Sequence, residues 1–137
     1  MIAVDTNVLV RILVDDPGQP MQNQAARELA SHSKQVFVLL IVQVETTWVL
    51  ETGYGLAKER ILSILGHLQT NSAFVLEDPT LCHTALELYQ VANLDYSDCL
   101  ILGLCRSRDR SLHTFDKRLG KLDGATLVTA AQSGNGA

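Results

Sequence analysis

Short β-branched and apolar runs alternate along this chain with longer stretches whose apolar residues recur at helical spacing. Residues 2–4 read as a short buried strand and 6–14 as a helix that stops before Pro17. Residues 20–31 read as a second helix and 36–40 as a strand. Residues 41–52 form a helix ended by Gly53 and Gly55, and 56–69 another whose apolar face carries Ile61, Leu65 and Leu68. Residues 73–76 are a strand, and Pro79 is placed to open a helix that runs to about Ala92. A helix over 97–108, a strand over 112–114, a short helix over 116–122 and a strand over 126–128 complete the pattern. Strands alternating with helices predict an α/β fold with a mostly parallel sheet. Pairs of helices between strands set it apart from a simple dinucleotide-binding unit.

The length of 137 residues fits one domain, expected over residues 1–131, with 132–137 a loose, low-complexity tail. At 47% hydrophobic and 19% charged residues, the composition supports a core that needs no disulfide. Cys82, Cys99 and Cys105 are odd in number and lack zinc-ligand spacing. Three small core residues in a reducing, cytoplasmic setting are expected instead. No signal peptide is expected, since Asp5 and Arg11 interrupt the opening apolar stretch. No membrane span is expected either: the uncharged run over 36–44 is far short of the ~20 residues a span requires. The net charge of −4 weighs against a protein that simply coats nucleic acid. It leaves room for an enzyme that meets phosphate through a cation. Six of the eleven basic residues, Arg106, Arg108, Arg110, Lys117, Arg118 and Lys121, cluster near the end, as a solvated face or a phosphate-facing patch.

Four of the fifteen acids stand where local rules do not ask for an acid. Asp5 follows a strand and opens a helix, as an N-cap would, but strand ends of open α/β sheets also bind ligands. At about 100° per residue, Glu45 falls within the apolar arc of its helix, with Ile41, Val42, Val44, Trp48, Val49 and Thr52, while Gln43, Thr46, Thr47 and Glu51 fall opposite. This predicts an inward-facing Glu45, which would need a cationic or donating partner. Asp98 starts a helix that is apolar nearly all round and so expected to be buried; Asp95 is the competing cap, with Ser97 near the cap. Asp116 follows a strand and precedes Lys117 and Arg118, again as a cap would. Three of the four lie at strand-to-helix junctions or helix starts, which share one edge of a parallel sheet. Convergence would be unfavourable without compensation, since two unit charges 4 Å apart repel by about 4 kcal/mol at an effective dielectric of 20. Oxygen ligands without His or Cys suit Mg²⁺ or Mn²⁺, and phosphoryl transfer is the chemistry such ions serve.

The segments Val4-Asp5-Thr6-Asn7-Val8, Val44-Glu45-Thr46-Thr47-Trp48, Asp95-Tyr96-Ser97-Asp98-Cys99 and Thr114-Phe115-Asp116 resemble, in order, the four motifs of the PIN-domain family, and within it the VapC-like ribonuclease toxins. The resemblance covers almost the whole chain. Tyr96 stands where the third motif more often has Phe. The resemblance implies a three-layer α/β/α sandwich with a central parallel sheet. It implies that Asp5, Glu45, Asp98 and Asp116 are catalytic and bind one or two Mg²⁺ or Mn²⁺ ions, Asp5 and Asp98 directly, Glu45 and Asp116 directly or through water. Thr6, Asn7 and Thr114 would hydrogen-bond to the ligating acids. An endoribonuclease, a toxin paired with a cognate antitoxin and commonly a homodimer, is the implied function. Arg11, one turn after Asn7, is a candidate RNA phosphate contact, and His113 is expected to point away from the site. A PIN-like module that binds RNA or a partner without cutting is the alternative. Dehalogenase-like phosphatases want Asp-x-Asp, but the partner of Asp5 is Asn7. A receiver domain wants an acidic pair and a middle-strand acceptor, both missing here.

Overall fold

A computed structural model of the chain describes residues 1–130; the expected tail at 132–137 lies outside the described residues. The order is β1 (Ile2–Ala3), α1 (Thr6–Leu13), α2 (Pro20–His32), β2 (Val36–Val38), α3 (Leu40–Trp48), a π-helical turn (Val49–Gly53), α4 (Lys58–Thr70), β3 (Phe74–Leu76), α5 (Pro79–Val91), α6 (Tyr96–Ser107), β4 (Leu112–Thr114), a 3₁₀ turn (Leu119–Lys121) and β5 (Ala125–Leu127). Every strand pairing is parallel. β2 lies between β1 and β3, with Ile2 opposite Val36 and Val38 opposite Leu76. β4 and β5 form a second ladder, with His113 opposite Thr126. The chain is thus an α/β protein of parallel strands and many helices, consistent with the expected three-layer fold. Its hydrogen-bonded strands fall into a three-stranded and a two-stranded sheet.

Local sequence explains most boundaries. Asp5 Oδ1 accepts from the Val8 N–H at 3.1 Å and so caps α1. Pro20 and Pro79 sit in first turns, where their missing N–H leaves no bond unmade. Asp78 adopts a left-handed conformation at φ 51° and caps α5 by accepting from the Leu81 N–H at 3.3 Å. The run expected as one helix over 41–52 loosens after Trp48 into the π turn, which ends at Gly53. The short helix expected over 116–122 is reduced to the 3₁₀ turn, and the last strand falls one residue early.

The core is built from Leu9 and Val10 of α1, Val36 and Val38 of β2, Ile61 and Leu65 of α4, and Cys99 and Leu100 of α6. Gly103 permits close packing of α5 on α6, since a Cβ there would stand 2.8 Å from Leu81 Cδ1. The expectation that α6 is buried all round is corrected at Ile101, which is 45% exposed. Cys82 and Cys99 are buried and Cys105 half-buried, all three as free thiols.

Helix α3 is turned about half a revolution from the expected orientation. Its buried side carries Val42, Gln43, Thr46 and Thr47, while Ile41, Glu45 and Trp48 face outward. Two clamps explain this. Glu77 Oε1, just past β3, accepts from the Leu40 N–H at 2.8 Å and satisfies the start of the helix. Gln43 finds partners in the interior, with its Nε2 donating to Cys82 Sγ at 3.1 Å and its Oε1 accepting from the Tyr96 hydroxyl at 3.2 Å. The Thr47 hydroxyl donates to the Val44 carbonyl at 2.7 Å. Polar residues therefore occupy the inner face without leaving most of their groups unpaired.

Candidate active site

The predicted acids lie in two groups around the α3–π segment. In the first group, Asp5 at the end of β1 and Glu45 on α3 line one recess together with Thr6, Asn7, Trp48 and Thr52. The Thr6 hydroxyl donates to Glu45 Oε1 at 2.7 Å, which ties α1 to α3. Both acids are exposed. The burial expected for Glu45 is therefore corrected: its helix faces the other way, and the partner holding it is a threonine hydroxyl. Asn7 and Asp5 also border an adjoining recess that contains Arg11 and Gln22. There Arg11 is fixed by donation from Nε to Gln22 Oε1 at 2.7 Å and by Asp16 at 3.9 Å.

The second group comprises Asp98 and Asp116, with Asp95, in a recess of about 410 Å³ that also holds Glu51, Lys58 and Arg118. Asp98 is half-buried in the first turn of α6. Its carboxyl is pushed above the ordinary range by burial first, then by the charges of Asp95 and Asp116. Asp95 occupies the N-cap position of α6 without a side-chain cap bond. Asp116 Oδ1 accepts from the N–H groups of Arg118 and Leu119 at 2.8 and 3.0 Å, and the Asp116 N–H donates to Thr114 Oγ1 at 3.0 Å. Thr114 thus fixes the turn that presents Asp116.

Sequence reasoning did not assign Lys58, Glu51 or Arg118 to this recess. Lys58 is held by the Ala92 carbonyl at 2.8 Å and over the Tyr89 ring at 4.6 Å. No spacing motif announces such a lysine, because its position depends on how α4 meets α5. The C-terminal basic cluster divides: Arg118 borders the acidic recess, whereas Arg106 is engaged by the Asp123 carbonyl. His113 is exposed on β4 and borders neither recess.

The two recesses flank the same turn of chain. Val49 and Thr52 line the one with Asp5 and Glu45, and Glu51 lines the one with Asp98 and Asp116. Among the described residues, no three His, Cys, Asp or Glu side chains gather closely enough to cage an ion as they stand. The donor set is nonetheless the kind a hard divalent cation takes, being entirely oxygen. Asp98 also shares its recess with Asp95 and Asp116, whose charges add to burial in raising its carboxyl. No helix among the described residues is long and apolar enough to cross a membrane.

The family model described as PIN domain matches residues 2–125. No curated protein and no solved structure gives a significant match.

Proposed function

The chain belongs to the PIN domain family, whose members are typically nucleases, and on that premise we propose that it is a Mg²⁺- or Mn²⁺-dependent endoribonuclease. The observation that carries the reading is the pair of acidic recesses on either side of the π turn, one with Asp5 and Glu45, the other with Asp98 and Asp116. Asp5 and Asp98 would hold the ion directly, and Glu45 and Asp116 directly or through water. A bound divalent ion supplies an acidified water and neutralises charge at the phosphate. The chain's own residues do the rest. Thr6 orients the Glu45 carboxylate through a 2.7 Å bond, and Thr114 fixes the Asp116 turn. Asn7 borders Asp5, and Arg11 in the adjoining recess offers a cation to an RNA phosphate.

The toxin role, the cognate antitoxin, the homodimer, the cytoplasmic location and a single domain over 1–131 belong to the same proposal. The toxin role, its antitoxin, the homodimer and the location rest on the resemblance of the four motifs, in order, to the VapC-like toxins; the single domain accords with a family match over residues 2–125. The test is to incubate the purified chain with unstructured RNA in Mg²⁺, in Mn²⁺ and in EDTA, beside Asp5→Asn. Metal-dependent internal cleavage that the variant loses is expected. RNA bound but left intact in both metals would return the non-catalytic alternative, and equal cleavage by Asp5→Asn would remove the site.

A further inference from the structure

The sequence holds seven aromatic residues of the Phe, Tyr and Trp types. Tyr89 and Tyr96 are buried, and Phe37, Tyr54 and Phe74 are half-buried. Only Trp48 and Phe115 are exposed, at 52% and 77%. Each adjoins one acidic group. Trp48 lines the recess with Asp5 and Glu45, and Phe115 lies between Thr114 and Asp116 in the chain. Single exposed apolar residues are ordinary on a protein surface, but Trp48 borders the recess of Asp5 and Glu45, and Phe115 is the immediate chain neighbour of Asp116. Trp48 is moreover the last residue of α3, and its carbonyl accepts from the Thr52 hydroxyl at 2.6 Å. The ring is thus presented from a fixed helical backbone.

We propose that Trp48 and Phe115 are stacking platforms for unpaired nucleobases, and that they select single-stranded RNA at this site. The inference rests on the nuclease reading and specifies its substrate. An indole or phenyl ring open to solvent offers a face to any base, so stacking is tolerant of sequence. It is selective for strand state, because bases inside a duplex are already stacked on both faces. The phosphates between stacked bases would then pass the carboxylates. Ile41, 65% exposed on the same face of α3, leaves protein docking as the competing use of Trp48.

Trp48 is the sole tryptophan, so its emission reports directly on its own environment. The full chain is titrated at low ionic strength in EDTA with a 12-nucleotide unpaired RNA, and with the same RNA annealed to its complement. Saturable quenching by the single strand, and far less by the duplex, is expected. Trp48→Ala is expected to weaken binding, read by anisotropy of labelled RNA, by about 5- to 140-fold. That range corresponds to ~1–3 kcal/mol per stacked base at 1.4 kcal/mol per tenfold. Trp48→Phe should recover most of the loss, and Phe115→Ala should weaken binding in the same sense. In cleavage assays Trp48→Ala should raise KM and leave kcat nearly unchanged. Three results would overturn the proposal: RNA binding that leaves the emission unmoved, equal quenching by the duplex, or emission that shifts with protein concentration alone, which marks a protein contact. Quenching without cleavage in any metal would retain the platforms and remove the nuclease reading; cleavage without quenching would do the reverse.

Discussion

Replacing Gln43 by Leu removes the two interior bonds that let a polar residue occupy the buried side of α3. The side chain is 1% exposed, and its carbonyl is the acceptor for the Tyr96 hydroxyl, itself on a residue only 2% exposed. Leucine roughly conserves the volume, so little cavity is created. The cost comes instead from the stranded donor: a buried hydroxyl without its acceptor costs about 1–3 kcal/mol. Burial holds the Tyr96 phenol far above its ordinary titration range, so it remains a donor throughout a neutral assay. Tyr96→Phe alone strands the Gln43 carbonyl and should cost a similar amount. The double variant removes both partners, and Cys82 keeps its own donation to the Glu77 carbonyl at 3.3 Å. Its cost should therefore fall below the sum of the singles by about 1–2 kcal/mol. Urea unfolding at pH 7, with unchanged slope between variants, measures all three. Additivity within about 0.3 kcal/mol, or a Gln43→Leu protein as stable as the parent, would refute the account of why α3 faces as it does.

Thr6→Val removes the 2.7 Å bond to Glu45 while keeping the side-chain shape. Loss of such a partner should lower Mn²⁺ affinity or turnover by about 10- to 100-fold, with unfolding free energy unchanged within ~0.5 kcal/mol, as calorimetry and urea unfolding would show. Tyr54→Phe probes a pH effect. The Tyr54 hydroxyl donates to Asp16 Oδ2 at 2.8 Å, and this bond first, then the Gly18 N–H, holds the Asp16 carboxyl below its ordinary value against its desolvation, with Arg11 adding a smaller pull. A lowered folded-state pKa stabilises fully above the unfolded value of about 3.9, and that stabilisation fades as pH falls through the folded value. The stability gap between parent and Tyr54→Phe should therefore be widest at neutral pH and narrow below about pH 4; a gap that widens on acidification would contradict it.

Much of the fold was legible because its signals are local. Pro20 and Pro79 mark helix starts, and the β-branched run at Val36–Val38 marks a strand through backbone sterics that need no tertiary knowledge. The orientation of α3 was not legible. Ile41, Val44, Trp48 and Val49 make an apolar stripe that should face inward by the rule of burial. Ile41 and Trp48 instead face outward, with Val44 and Val49 only half-buried, because Glu77, Cys82 and Tyr96, all more than thirty residues away, meet Leu40 and Gln43 on the other side. The same reversal accounts for Glu45: the sequence singled it out for an awkward burial it does not have, yet its separation from Asp5 in the chain is bridged by Thr6. Asp5 and Asp116 illustrate the converse. Asp5 does act as the helix cap that local rules predict, and Asp116 holds a turn rather than a helix start, each through Oδ1 while lying in a recess with a second candidate acid. Cap and ligand are compatible for a carboxylate with two oxygens, so the innocent explanation of each residue did not exclude the functional one.

If the two acidic recesses beside the π turn form one divalent-ion centre, of one or two ions, a substitution in either must weaken it. Mn²⁺ titration by calorimetry of the parent, Glu45→Gln and Asp116→Asn, one substitution from each recess, measures this. Saturable Mn²⁺ binding by the parent that both variants weaken is expected. Undiminished Mn²⁺ affinity in either variant would rule out a shared centre.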